Sequence, residues 1–519
     1  MEFNHPSDIV KDLNFGNNAS TKIMAGVNKL NDAVKSTLGA SGKCVIYEDA
    51  LGRPIVTKDG VTVANSVILR DPVENIGATL IKEAAQKTVK EAGDGTTTST
   101  VLASAILNEY YQSGKTNVRG IKIGIDKALT KSLKYLDKIK VPVEGTMLNH
   151  VANISANNDK VLASIIANAY EKVGKDGVVL MEESDTAETH VEIVDGVQFD
   201  SGLKSPHLIT DKEKGKAVLE DPLVLLVESE VNTIRKIQTV LEYAIKEKRS
   251  ILIIGNIAQQ PLSALIMNKA KGNIKVNVID SPGFSLTRKE LMEDLASITG
   301  ATIINEDLGD DLDLIGVEHL GVCKKAVTDD NNTVITVENI NEKITGRIES
   351  IEKQLKEEKN DYVIKKLEER KAMLSGSVGI IKVGADSKVA LKEKKDRVED
   401  AIYAVKAALK EGIVPGGGIA LCNAADSIKP ACPGEEILLA AMKEPFKTIL
   451  SNSGVTGDVY SKGKGIDVTN GKVVNMIKAG IIDPVLVTKT ALKNAASVAS
   501  TIISADCVIS NVREDAGNQ

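Results

Sequence analysis

A chain of 519 residues exceeds what one ordinary core holds, so roughly two to four domains are expected, some of them discontinuous. Its 65 basic and 71 acidic residues are well mixed and leave a net charge of -6, which excludes a basic field for nucleic acid and gives no membrane-binding patch. With 42% hydrophobic residues but only 3% aromatic and no Trp, the cores must be packed from Ala, Val, Ile and Leu. The five cysteines, Cys44, Cys323, Cys422, Cys432 and Cys507, have neither CxxC spacing nor a nearby His cluster, which argues for thiols in a reducing compartment rather than a disulfide framework or zinc site. The first residues, MEFNHPSDIVKD, lack a basic and then apolar leader, and no apolar run approaches a membrane span, so a soluble cytoplasmic protein is expected.

Apolar residues at Ile23, Val27, Leu30, Val34 and Leu38 predict a helix over 20–38, which delivers Thr37-Leu38-Gly39-Ala40 to a turn. Strands are predicted at 44–47 and 54–57, the second ending in Lys58-Asp59-Gly60, where an acid beside Gly fits turn chemistry and an active-site role equally. Helices follow over 75–92, 98–112 and 121–139. Gly114-Lys115-Thr116 imitates a P-loop end, but Glu109 stands where the first glycine is required, leaving an exposed turn.

Between two of these helices lies Gly93-Asp94-Gly95-Thr96-Thr97-Thr98. The glycines can adopt backbone conformations closed to other residues, and the threonines open a helix whose free N–H groups favour an anion. Asp94 would repel a bare phosphate, so a carboxylate here makes chemical sense if it holds Mg2+ that bridges to phosphate oxygens. An ordinary N-capped loop is the plainer reading of a lone GDG; three successive threonines weigh against it.

Val141-Pro142 breaks the helical pattern, two short helices fill 149–173, and strands are expected at 177–181 and 191–194, leading to Gly196. The middle third alternates β-rich runs (223–227, 251–254, 276–279, 302–304) with helices (233–247, 262–271, 288–299), predicting a βαβ domain with a largely parallel sheet and, without GxGxxG, no dinucleotide site. On spacing, the faces Ile234, Ile237, Leu241 and Leu262, Leu265, Ile266, Met267 read as core. The charge-dense 347–374 stretch reads as a solvated antiparallel helix pair turning at Lys359-Asn360-Asp361. The helix over 389–411 carries Asp400, on spacing a solvated acid. Gly416-Gly417-Gly418 is either a flexible loop or a close backbone approach to a flat ligand, and a closing helix spans 489–504.

GDGTTTSTVLA (93–103) resembles the nucleotide signature of the group I chaperonins, the GroEL-type folding machines, and the resemblance runs from Phe15-Gly16-Asn17 through TKDGVTV (57–63), RVEDA (397–401) and GGG (416–418) to AASVA (495–499). It implies ATP, Mg2+ at Asp94 and K+ held through backbone at Thr37, Lys58 and Thr97. The implied nucleotide contacts are Thr37, Leu38, Gly39, Ala40, Lys58, Asp94, Gly95, Thr96, Thr97, Thr98, Gly417, Asp467, Val468, Thr469, Ile481 and Asp483. Asp59 would stand close to the attacking water, and Asp400 would be brought to the γ-phosphate by a swinging domain. The same resemblance places nonnative polypeptide, and then a co-chaperonin lid, on Leu203, Lys204, His207 and Leu208, on Gln238 and Leu241, and on Leu262, Ile266 and Met267. Hinges fall at Pro142, Gly196, Ser377 and Gly412. The chain departs from the family's usual residues at Ala40, Lys204, His207, Gln238 and Ser377, and lacks the Gly-Gly-Met tail.

The fold class implied is multi-domain α+β: a helical equatorial domain (1–140, 412–519), a small α/β intermediate domain (141–195, 378–411) and an α/β apical domain with βαβ units (196–377). The function implied is that of a chaperonin ATPase working as a homo-oligomeric, sevenfold ring. Two stretches, 418–444 and 454–465, look shortened by about two helical turns each, so weak or absent pairing of rings is expected. An ATP-regulated scaffold for one dedicated partner is the alternative, motivated by the polar Lys204 and His207. A metabolic kinase lacks a Walker motif.

Overall fold

The structure, a computed structural model, describes residues 10–512 apart from 50, 175–176, 213, 284–285, 307–308, 338–341, 358–362, 364–366, 368–369, 372, 375–376 and 456–459. The chain forms two compact units. One comprises Met1–Ala167, Glu183–Thr189 and Val383–Gln519, and the other Asn168–Glu182 and His190–Lys382.

The first unit is built on long helices, Gly16–Lys35, Pro72–Ala92, Thr96–Ser113, Val118–Ile139 and Val485–Ile503. Pro72–Ala92 shows why they form. Asp71 caps it by accepting from the amides of Val73 (2.8 Å) and Glu74 (3.1 Å), which is worth about 1 kcal/mol. Pro72 occupies its first turn, and Gly93, at φ 79°, ends it in the left-handed conformation. Its buried residues Val73, Ile81, Ala84, Ala85, Thr88 and Ala92 recur at helical spacing. The core they enter holds Leu30, Ile81, Leu102, Ile106, Leu107 and Leu492 with no exposed surface, each such side chain contributing about 1.5–3 kcal/mol.

Helix Lys388–Glu411 leads into the strand Ile413–Pro415, which pairs with Ile482–Pro484 and places Val414 opposite Asp483. At the first residue of that strand, Ile413 and Val141 exchange both backbone hydrogen bonds. The strands Val45–Glu48 and Pro54–Thr57 form the expected hairpin, and Gly114-Lys115-Thr116 is an exposed turn. A short helix, Gly60–Ser66, follows the hairpin where the β-branched Val61-Thr62-Val63 gave no helical signal.

The second unit contains the anticipated parallel sheet. Its order is Ile303–Ile304, Leu223–Val231, Ile251–Ile257, Val276–Ile279, all parallel, with Gly321–Val322 antiparallel beside Leu223–Val231. A six-stranded sheet runs Val178–Glu183, Ser377–Val383, His190–Phe199, Thr333–Val337, Lys325–Thr328, Ala217–Glu220. Gly196 lies inside one continuous strand of it. A Cβ there would stand 2.7 Å from Ile335 O and 2.7 Å from Val378 Cγ2, so glycine is required for packing. Ser377 pairs with Asp195 at the start of the neighbouring strand.

The solvated reading of 347–374 needs correction. Ile351, Leu367 and Leu374 are buried with Met292 and Leu295, and Arg347 and Arg370 both bond the fully buried Asp294, each at 2.9 Å. Charge-dense sequence here conceals a packed face with a compensated buried acid. The turn proposed at Lys359-Asn360-Asp361, Gly376 and the last seven residues lie outside the described residues.

Candidate functional site

Several segments of the first unit meet around one cavity. Helix Gly16–Lys35 delivers Thr37, whose hydroxyl donates to Val34 O (2.9 Å) and lies 3.5 Å from the Thr97 hydroxyl. Gly93 and Gly95 take φ values of 79° and 95°, bending the chain between two helices, and no side chain caps Thr96–Ser113. Its first amides are therefore available to a ligand. Asp59 accepts from the amides of Val61 (3.0 Å) and Thr62 (2.8 Å) and from the Thr62 hydroxyl (2.6 Å), so it caps Gly60–Ser66 while lining the cavity. The turn chemistry expected of this acid is thus present, and its position on the cavity wall leaves it accessible to a ligand.

On another wall, Gly416-Gly417-Gly418 lets backbone approach Asp483. A Cβ on Gly416 would lie 2.9 Å from Asp483 Oδ1, and the amides of Gly417 and Gly418 donate to that carboxyl. The hairpin of Lys464–Asp467 and Lys472–Asn475 supplies Asp467, whose carboxylate accepts from Thr469 N (3.0 Å) and from Asn470 Nδ2 (2.6 Å). The cavity measures about 880 Å³ and is lined by every residue assigned above to nucleotide, metal or water chemistry, from Thr37 to Asp483. That volume suits a small organic ligand.

Electrostatically the cavity wants a cation. Burial, and then the charges of Asp94 and Asp59, push the Asp400 carboxyl well above its usual range. Asp94 is raised by burial and by Asp59, partly offset by the Gly95 amide. Asp483 is pushed up to about 7 by burial and by Asp94, against the two glycine amides. Like charges gathered in protein surroundings, beside an uncapped helix N-terminus that favours an anion, fit a cation bound together with an anionic ligand. Among the described residues no cluster of three His, Cys, Asp or Glu side chains is spaced to hold a metal ion, so a cation at Asp94 would draw other oxygens from its ligand or water.

The sequence matches the TCP-1/cpn60 chaperonin family over residues 30–513. The chain belongs to that family. Its fold is similar to that of the chaperonin gp146 from the bacteriophage EL 2 (Pseudomonas aeruginosa), crystallised in presence of ATP-BeFx. In crystal form II the TM-score is 0.72 at 21% identity, with 96% of this chain and 98% of that chain covered. In crystal form I the TM-score is 0.64 at 21% identity, covering 96% and 99%. At this identity the likeness speaks for the fold.

Asn157, Asn158 and Arg397, to which sequence reasoning gave no role, also line the cavity of this chaperonin. Lys58 Nζ donates to Asn157 Oδ1 (2.7 Å), and Arg397 reaches Asp159 (3.4 Å). Asn157 and Asn158 both have positive φ, and an Asn pair after a helical run was the available signal.

The residues expected to capture polypeptide stand in the second unit, and they divide. Met267 is 59% exposed, His207 and Gln238 are exposed, and Leu203, Lys204 and Ile266 are half-buried. Leu208, Leu241 and Leu262 instead join the core with Val227, Ile253 and Val278, which corrects their assignment to the surface and, for Leu241 and Leu262, agrees with their helical spacing. Lys204 pairs with Asp280, and Lys269 ties this segment to helix Gln259–Ala270 through the carbonyls of His207 (3.0 Å) and Ile209 (2.8 Å). No helix among the described residues is long and apolar enough to cross a membrane.

Proposed function

We propose that this chain is a group I, ring-forming chaperonin that captures nonnative polypeptides and drives their release and folding by binding and hydrolysing ATP. The observation that carries the reading is the gathering of the Asp59, Asp94, Asp400 and Asp483 carboxyls in one cavity at the uncapped start of Thr96–Ser113, with the Asp94 charge bearing on both Asp400 and Asp483. ATP with Mg2+, when bound, supplies the phosphoanhydride whose cleavage times the cycle. The chain's own part is to bind, orient and exclude water. The first-turn amides and Thr96, Thr97 and Thr98 hold phosphate oxygens, and Asp94 holds the cation. Asp59 and Asp400 orient water, and Asp467 and Asp483 flank the nucleoside. K+ at the backbone of Thr37, Lys58 and Thr97 belongs to the same proposal.

Three nested domains, with boundaries at 140/141, 195/196, 377/378 and 411/412, would carry nucleotide state to the polypeptide surface, in a sevenfold ring that a small co-chaperonin closes. Equilibrium binding and steady-state hydrolysis of Mg·ATP by the purified chain test the core of this. Saturable binding with turnover supports it, and absence of both overturns it.

A second reading, a scaffold for one dedicated partner, gains support from the burial of Leu208, Leu241 and Leu262 and the ion pair at Lys204, which leave a sparser apolar surface. Capture of several unrelated denatured proteins would overturn that narrower reading.

A further inference from the structure

Tyr403 stands three residues after Asp400 on helix Lys388–Glu411, so the two side chains share a face. The tyrosine is seated against Gly93, the residue before Asp94. A Cβ on Gly93 would lie 2.5 Å from Tyr403 Cβ, 2.6 Å from Cγ and 2.7 Å from Cδ1. Of these atoms Cβ is fixed to the helix backbone, and Cγ and Cδ1 can leave only if the side chain changes its χ1 rotamer. One turn further on, Ala407 packs with Ala92 and Val487. Val487 in turn faces Gly95, where a Cβ would stand 2.8 Å from its Cγ1. The segment Ala92–Gly95 is thus held on one side by the Asp400 helix and on the other by Val485–Ile503, with glycine at each point of closest approach.

We propose that Tyr403 is a positioning residue for the nucleotide reaction: its ring root, pressed on Gly93, sets where the Asp400 carboxyl stands relative to Asp94 and to the start of Thr96–Ser113. The inference rests on the nucleotide reading above and adds to it a mechanical link. Close-packed contact transmits displacement because it leaves no gap to absorb it. A shift of the Asp400 helix therefore moves the phosphate loop, and a loosened loop leaves Asp400 without a fixed target. The contact with Gly93 is made by Cβ, Cγ and Cδ1, all of which phenylalanine keeps.

The test uses the full chain with Tyr403→Ala and Tyr403→Phe. For Tyr403→Ala the expected result is a kcat for ATP hydrolysis lower by about 10- to 100-fold, the scale of a misplaced catalytic group, with KM changed less than about threefold. Tyr403→Phe should restore kcat to within about twofold of the unaltered chain. Unchanged kcat in Tyr403→Ala, or a Phe variant as impaired as the Ala variant, overturns the proposal. Amide hydrogen exchange without nucleotide gives a second readout, with faster exchange expected over 93–98 in Tyr403→Ala and none at the Lys464–Asp467 hairpin. An unaltered chain that hydrolysed no ATP would sink the nucleotide reading alone. Local acceleration over 93–98 would still support the positioning contact, and unchanged exchange would overturn it.

Discussion

Val141 and Ile413 exchange both backbone hydrogen bonds, N to O at 2.9 Å and 2.8 Å, so that two distant chain segments run side by side at Pro142 and Gly412. Gly412 takes φ 88° and ψ -169°, a region closed to other residues, and a Cβ on it would lie 2.6 Å from Val141 O. Gly412→Ala is therefore expected to cost about 1–3 kcal/mol of stability and to slow the nucleotide-driven conformational step. Thermal unfolding and stopped-flow transients measure the two effects. Unchanged transients in a destabilised variant would place the joint elsewhere.

Gly60 touches the proposed phosphate site from the side. A Cβ there would lie 2.3 Å from Thr97 Oγ1, a clash that Thr97 escapes by rotating its side chain and taking the hydroxyl away. Gly60→Ala should leave unfolding within about 1 kcal/mol of the unaltered chain while weakening Mg·ATP by roughly tenfold. Isothermal titration calorimetry decides this, and unchanged affinity would remove the Thr97 hydroxyl from the site.

The two acids of the catalytic proposal should separate. Asp400→Ala is expected to bind ATP within about threefold of the unaltered chain but to hydrolyse it about 10²–10⁴ times more slowly, because an acid acting on water contributes to the transition state more than to ground-state affinity. Asp94→Ala should instead lose the Mg2+-dependent part of binding. Equal loss of affinity and turnover in Asp400→Ala would contradict its assignment.

Asp483 links the cavity to pH. Its carboxyl is raised from about 3.8 to about 7 by burial and by Asp94. Below pH 4 it is protonated folded and unfolded alike and contributes nothing. Between pH 4 and 7 the folded chain holds the extra proton, so nucleotide-free stability falls as pH rises, and above pH 7 the full penalty stands, at most about 4 kcal/mol. Asp483→Asn should therefore raise Tm at pH 8 and change it little at pH 4. Calorimetry at both values checks the sign, and an equal shift at each would contradict it.

Much of this was legible in the sequence because local chemistry and fold coincide there. Gly93 and Gly95 announced left-handed turns, Thr96-Thr97-Thr98 announced a helix start, and the β-rich runs at 223–227 and 251–254 announced a parallel sheet. What escaped depends on distant partners. Nothing near Asp294 in sequence reveals that Arg347 and Arg370 will bury it, and nothing near Gly196 shows that Ile335 and Val378 exclude a side chain. Leu241 and Leu262 could be read either as core by spacing or as surface by resemblance, and the sheet they cover decided for the core. The pairing of Val141 with Ile413 needs the whole fold to exist.

The most direct measurement is the recovery of activity by an unrelated, chemically denatured enzyme diluted into the purified chain, with and without Mg·ATP, beside Asp400→Ala. The proposed function predicts suppressed aggregation in all cases and recovery that needs both ATP and Asp400. Recovery indifferent to ATP, or no capture of denatured protein at all, would contradict it.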